Sequence, residues 1–231
     1  MPELPRSARS GRLDSRPRAA PAGRPLPPGV HALDDIGLPT TLLLVPPEAQ
    51  GVRPLLVFFH GAGGAAANSL PLVQEAVAAR GALALLPSSA DATWDLLVGG
   101  LGRDVAALDA ALDAVLGRFA VDRIAFGGFS DGASYALSLG LANGDLTGAL
   151  LAFSPGFLAP PDQVGQPRVW LSHGRADTVL PVDRCGRRVV RQLQGAGYEV
   201  HYEEFAGGHV VPPALVDQAL GWWLDRPATG G

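Results

Sequence analysis

Lysine is absent from this chain, and cysteine and methionine occur once each. All 18 basic side chains are therefore arginine, and 22 acidic ones bring the net charge to −4. Nothing in that balance offers the basic footprint that binding a nucleic acid requires. The single Cys185 excludes an intramolecular disulfide. Set among Arg184, Arg187 and Arg188 in an amphipathic stretch, it reads as a half-buried structural thiol and not a reactive one. No apolar run approaches the ~20 residues of a membrane span. The N-terminus carries arginines but neither the apolar core nor the cleavage site of a secretion signal, so the expectation is a cytoplasmic protein. The histidines are dispersed, and none is paired at ligand spacing with another histidine or with the cysteine. No metal site is expected. The glycine-rich stretch at 61–64 lacks the Lys-Ser/Thr of a phosphate-binding loop. No cofactor is expected.

What the chain does have is apolar content, 47% over 231 residues, enough for one substantial core. Residues 1–29 are rich in Arg and Pro and poor in large apolar side chains. They are expected to be an extended or partly disordered extension, with the folded domain over 30–231. Within it, apolar runs at 40–45, 55–59, 82–86, 124–126, 149–153 and 169–172, with 199–205, read as strands. Helical periodicity is expected over 66–80, 102–118, from Asp131 onward, and over 183–195 and 213–225. Strands alternating with helices of this length imply a mostly parallel sheet covered on both faces. Ligand sites in such sheets lie beyond the carboxyl ends of the strands.

One of those ends carries Gly128-Phe129-Ser130-Asp131-Gly132, which fits the G-x-S-x-G pattern of a tight strand-to-helix turn that presents a serine hydroxyl. The serine of such a turn sits in a strained conformation, and side chains two residues to either side would collide with the neighbouring strand and helix. The pentapeptide alone is weak evidence, since three fixed positions match by chance about once in 3,000 windows. Context strengthens it. Asp177 follows the strand 169–172, and His209 follows the strand 199–205. Ser…Asp…His is the chain order of α/β-hydrolases. A serine hydroxyl is a poor nucleophile until a histidine takes its proton, and the aspartate fixes the histidine tautomer. Two backbone N–H groups must also face the developing alkoxide. In this architecture one comes from the residue after the nucleophile, Asp131, and the other from the loop His60-Gly-Ala-Gly-Gly64.

Other polar residues read as structural. His31 is expected at the surface, His60 as structural because His209 is the better base, His173 as bonded to nearby backbone, and His201 as a packed or surface strand residue. Ser154 reads as a turn residue. Asp183 competes with Asp177 for the acid's place but follows Pro181, where a helix N-cap is expected.

Together, His60-Gly-Ala-Gly-Gly64, Gly128-Phe-Ser-Asp-Gly132, His173-Gly-Arg-Ala-Asp177 and Gly207-Gly-His209 resemble the phospholipase/carboxylesterase branch of the α/β-hydrolases. That branch includes bacterial carboxylesterases and acyl-protein thioesterases. The likeness runs from about residue 40 to 225. It implies an α/β-hydrolase fold without a large lid domain, a Ser130–Asp177–His209 triad, and Ala62 and Asp131 as the oxyanion donors. Asp131 stands where the thioesterases usually carry Gln, and Gly64 where they usually carry Asp. A small bacterial esterase therefore fits better than a protein depalmitoylase. A serine at position 130 also argues against the related dienelactone hydrolases, which use cysteine.

The expected activity is hydrolysis of short- to medium-chain carboxylic esters through an acyl-enzyme, by a monomer or homodimer. Trp94, Leu96, Phe157 and Val179, all at strand ends, are candidates for an apolar substrate pocket. A lysophospholipase or acyl thioesterase is the alternative within enzymes. A hydrolase-fold binding protein is the alternative outside them, though such proteins typically lose a triad member and here all three are present.

Overall fold

The computed structural model describes residues 5–33, 40–47 and 51–225. Residues 1–4 of the N-terminal extension lie outside them. A sheet of eight strands runs through the molecule: β1 (Gly29–Ala32), β2 (Leu42–Val45), β3 (Arg53–Phe59), β4 (Leu83–Leu86), β5 (Val121–Phe129), β6 (Ala149–Phe153), β7 (Arg168–Gly174) and β8 (Val200–Phe205). Their order is β1-β2-β4-β3-β5-β6-β7-β8. β2 pairs antiparallel with both β1 and β4, and the remaining neighbours are parallel. This is the α/β-hydrolase fold expected from the sequence.

Side chains alternate along each strand between two apolar layers. Leu55, Val57 and Phe59 face one core with α3 (Arg103–Leu116), α4 (Asp131–Ala142) and α5 (Gly186–Gly195). Leu56 and Phe58 face the other, with α2 (Ala66–Ala79) and α6 (Pro213–Leu224). Because β3 to β8 are parallel, their carboxyl ends lie on one edge of the sheet. No helix among the described residues is long and apolar enough to cross a membrane.

Two features differ from the expected element map. The strand expected at 124–126 is β5, which runs on through both glycines to Phe129, because Phe58 and Phe59 of β3 continue the ladder opposite Gly127 and Gly128. The helix expected from 183 begins at Gly186, after turns over 182–185. Asp183 is therefore not its N-cap. It is exposed and pairs with Arg187 at 2.6 Å.

The N-terminal segment lies along the body. A short helix, α1 (Arg6–Arg9), buries Ala8 against α3. Beyond it Leu13 is buried. Asn143 at the end of α4 accepts the Leu13 N–H at 2.9 Å and donates to the Gly11 carbonyl at 2.7 Å. Most of residues 12–28 have no regular secondary structure, so these bonds to side chains satisfy part of their backbone.

Candidate active site

The turn between β5 and α4 is built as its glycines require. A Cβ on Gly128 would lie 2.4 Å from the Gly132 backbone, and one on Gly132 would lie 2.2 Å from the Phe59 carbonyl oxygen. Any side chain at either position would force the strand and helix apart. Ser130 itself has φ 58° and ψ −121°, a region that costs a non-glycine residue of order 1–3 kcal/mol. Its N–H is tied to the Phe153 carbonyl at 2.9 Å, which holds the strained turn to the end of β6. The result is a half-buried hydroxyl standing above the sheet.

Two loops bring partners to it. Asp177 follows β7 and is only 5% exposed. Its Oδ1 accepts the N–H groups of Val179 and Leu180 at 2.9 and 2.8 Å. Its Oδ2 lies 2.7 Å from His209 Nδ1. An ionised carboxylate only accepts, so Nδ1 carries the proton and Nε2 is left to accept the Ser130 hydroxyl, 2.9 Å away. Burial pulls the Asp177 carboxyl upward, but the Leu180 N–H, the His209 ring and the Val179 N–H outweigh it and hold it below the ordinary carboxylate value. The His209 ring also lies against Phe129, with centroids 4.7 Å apart. Ser130, Asp177 and His209 thus form one continuous hydrogen-bonded chain.

The loop after β3 forms the facing wall. Ala62 is exposed, while its neighbours are committed elsewhere: Gly63 N–H to the Ala92 carbonyl at 2.6 Å and Gly64 N–H to the Gly61 carbonyl at 3.1 Å. Asp131 opens α4, so its N–H has no carbonyl one helical turn back to bond. A Cβ on Gly61 would approach the Ser130 Cβ to 3.3 Å, which places this loop directly beside the serine.

His60 and His173 both support the site from beneath. His60 is buried; its Nδ1–H donates to the Gly61 carbonyl at 2.7 Å and its Nε2 accepts the Ser89 N–H at 3.0 Å. His173 is fully buried; its Nε2–H donates to the Leu180 carbonyl at 2.7 Å and lies 3.3 Å from Asp177 Oδ2. Burial lowers the pKa of both rings. Cys185, buried near Asp177, has its thiol pushed up by burial and by that carboxylate. Ser154 is buried in a left-handed turn, φ 51°, with its N–H on the Ser172 carbonyl at 2.8 Å. His31 donates to or accepts from no site residue and bonds the Pro27 carbonyl. His201 is exposed beside Glu203.

The expected substrate pocket needs correction. Trp94 is 1% exposed: its indole stacks on Tyr135 at 4.8 Å, meets Phe59 edge-on, and donates to the His60 carbonyl at 2.9 Å. It is a core residue and not a pocket wall. Leu96 packs against the same core. Phe157 is half-buried in the loop after β6, with its N–H 3.4 Å from Ser134 Oγ, and Val179 is 64% exposed beside Asp177. The contacts of Phe129 with His209 and of Thr93 with Asp131, at 2.9 Å, carry no sequence signal that would have found them.

Comparison with known proteins adds the following. The sequence model described as phospholipase/carboxylesterase matches residues 106–220, a stretch that holds Ser130, Asp177 and His209. Acyl-protein thioesterase 1 of Gibberella zeae is 32% identical over 107 residues, 42% of this chain, and the match spans less than half of that relative's length, 45%. Among solved structures, esterase PE8 superposes with a TM-score of 0.63 at 22% identity, covering 79% of this chain and 96% of that one. Acyl-protein thioesterase 2 of Zea mays gives 0.58 at 18% identity, covering 81% and 98%. At such identities the structural likeness speaks for the fold.

Proposed function

We propose, from the premise that the chain belongs to the phospholipase/carboxylesterase family of α/β-hydrolases, that it is a serine esterase working through an acyl-enzyme on short- to medium-chain carboxylic esters. One observation carries the reading: the hydrogen-bonded chain from the strained Ser130 through His209 to Asp177. In acylation, Ser130 Oγ forms a bond to the ester carbonyl carbon, the carbonyl π pair moves onto oxygen, and the hydroxyl proton passes to His209 Nε2. Asp177 stabilises the imidazolium so formed. The N–H groups of Ala62 and Asp131 receive the oxyanion, where each such donor is worth roughly 3–4 kcal/mol of transition-state stabilisation. Collapse of the intermediate breaks the bond to the leaving alcohol, which takes the proton from His209. Water repeats the sequence and frees the acid.

The chain-length assignment is supported by the short connections after β6, β7 and β8, where no lid domain is built among the described residues. The thioesterase relative favours a second reading, hydrolysis of longer acyl esters or thioesters. Fluorophosphonate labelling mapped by mass spectrometry, followed by p-nitrophenyl esters from C2 to C16, decides between them. Label on Ser130 and fastest turnover at C2–C8 is the expected result. An optimum at C12–C16 moves the protein to the second reading, and a folded protein that takes no label is not a serine hydrolase.

A further inference from the structure

The residue after Ser130 brings a charge into the site that the mechanism above does not use. The Asp131 side chain is half-buried, and its Oδ2 accepts the Thr93 hydroxyl at 2.9 Å. Thr93 belongs to the loop after β4, the loop whose Ala92 carbonyl also holds Gly63. The carboxylate is thereby held between the start of α4 and the loop after β4, on the β3–β4 side of β5; Asp177 and His209 stand on the β7–β8 side. Two other carboxylates on this side, Asp95 and Asp104, are occupied by backbone. Asp104 accepts the N–H groups of Ala90 and Asp95, and Asp95 accepts those of Leu96, Gly102 and Asp104. Asp131 Oδ1 has no such partner among the described residues. Arg103, at the start of α3, leans toward Asp91 at 3.9 Å. The start of a helix favours a negative charge, which keeps this one in place without a cationic partner among the described residues.

We propose that Asp131 selects esters whose acyl group carries a positive charge, a quaternary ammonium or protonated amine a few bonds from the carbonyl. The inference rests on Ser130 being the nucleophile. His209 must reach the leaving oxygen, so the alcohol lies toward β7 and β8 and the acyl group toward β3 and β4, where Asp131 is. A carboxylate beside the forming oxyanion opposes it. A cation in the acyl group offsets that repulsion and pairs with the carboxylate, whereas an anionic acyl group meets two negative charges in a partly desolvated site.

Three p-nitrophenyl esters test this: the 4-(trimethylammonio)butanoate, its uncharged carbon isostere the 5,5-dimethylhexanoate, and the anionic hemiglutarate. Each rate is corrected by that ester's own hydroxide-catalysed rate. The expected kcat/KM favours the cation over its isostere by about tenfold and disfavours the anion by a similar factor. Both ratios shrink toward one in Asp131→Asn, and both fall with added salt. Thr93→Val, which frees the carboxylate to turn away, reduces them less. Equal rates for the cation and its isostere, or ratios unchanged in Asp131→Asn, overturn the proposal. If Asp131→Asn does not fold, the wild-type ratio and its loss with salt decide alone. Prior fluorophosphonate labelling separates the two readings: unlabelled Ser130 refutes the esterase, while labelled enzyme with no charge preference refutes only the selection by Asp131.

Discussion

Two strand ends at the carboxyl edge of the sheet carry the same dipeptide, His60-Gly61 just past β3 and His173-Gly174 closing β7. Both histidines are buried, and both spend one N–H on a carbonyl of their own loop. They differ in the second nitrogen. His60 Nε2 accepts the Ser89 N–H and so ties the β3 loop to the loop after β4. His173 Nδ1 has no hydrogen-bond partner among the described residues, and the same ring's Nε2 lies 3.3 Å from the Asp177 carboxylate. One histidine is a cross-link between two backbones. The other is a support for a single carboxylate. The same local sequence thus serves stability on one side of the serine and orientation on the other.

The largest effect expected breaks the orientation side. Asp177→Asn keeps the shape but lets the side chain donate to His209, reversing the ring's tautomer so that Nε2 no longer accepts from Ser130. A loss of about 10⁴ in kcat follows, with the fold retained by circular dichroism. A loss below tenfold would mean that another group, Asp183 being the rival, orients His209.

Substituting the two histidines sharpens the contrast. His60→Ala strands the buried Ser89 N–H and leaves a cavity beside Trp94, whose ring centroid is 4.7 Å away. A stability loss of about 3–4 kcal/mol is expected in urea unfolding. His173→Asn is expected to cost less stability, since a ring nitrogen without a partner is removed with the ring, yet to lower kcat more than it raises KM. Equal stability losses, or a kcat loss confined to His60→Ala, would collapse the distinction.

The β4 loop that His60 grips has its own titratable anchor. Asp104 is 3% exposed. Burial, with the Asp95 carboxylate adding to it and the Ala90 N–H partly offsetting it, pushes its pKa from 3.8 up to about 6. The folded state therefore holds this proton more tightly than the unfolded chain does. Stability from this group is greatest below pH 4 and is lost as pH rises to about 6, by roughly 3 kcal/mol. The unfolding free energy of wild type relative to Asp104→Asn should fall by most of that amount between pH 4 and 7. A difference that stays flat shows that the two N–H bonds hold the carboxylate ionised throughout.

How much of this was legible in the chain depended on whether a residue's surroundings are local. The glycines at 128 and 132 are demanded by backbone within a few residues, and the sequence pattern around Ser130 reports that directly. Loops after β7 and β8 could be placed because a parallel sheet puts all its carboxyl ends on one edge. Trp94 was not legible as a core residue. An aromatic just past a strand reads alike whether it turns inward or outward, and it turns inward here because Tyr135 and the His60 carbonyl meet it. Nor was β1, whose pairing with β2 is set by tertiary register. Residues 5–28 hold their place through Asn143 and Asp109, partners more than 90 positions away that no local pattern discloses.

The smallest effect expected concerns the carboxylate that competes with Asp177 on sequence grounds. Asp183 is six residues further on, past Pro181, and its partner is the Arg187 guanidinium on α5. That guanidinium is already held by Glu204 of β8, which accepts from Nε at 2.6 Å and from Nη2 at 2.7 Å, so losing Asp183 leaves it paired. An exposed ion pair of this kind contributes little. Asp183→Asn should leave kcat/KM unchanged and move the thermal midpoint by no more than about 2 °C. Set beside Asp177→Asn, the pair of variants tests whether orientation belongs to the carboxylate that the Val179 and Leu180 N–H groups fix in place. A large kcat loss from Asp183→Asn would show that the acid-side loop adopts a second arrangement during turnover, one in which His173 and Asp177 are no longer neighbours.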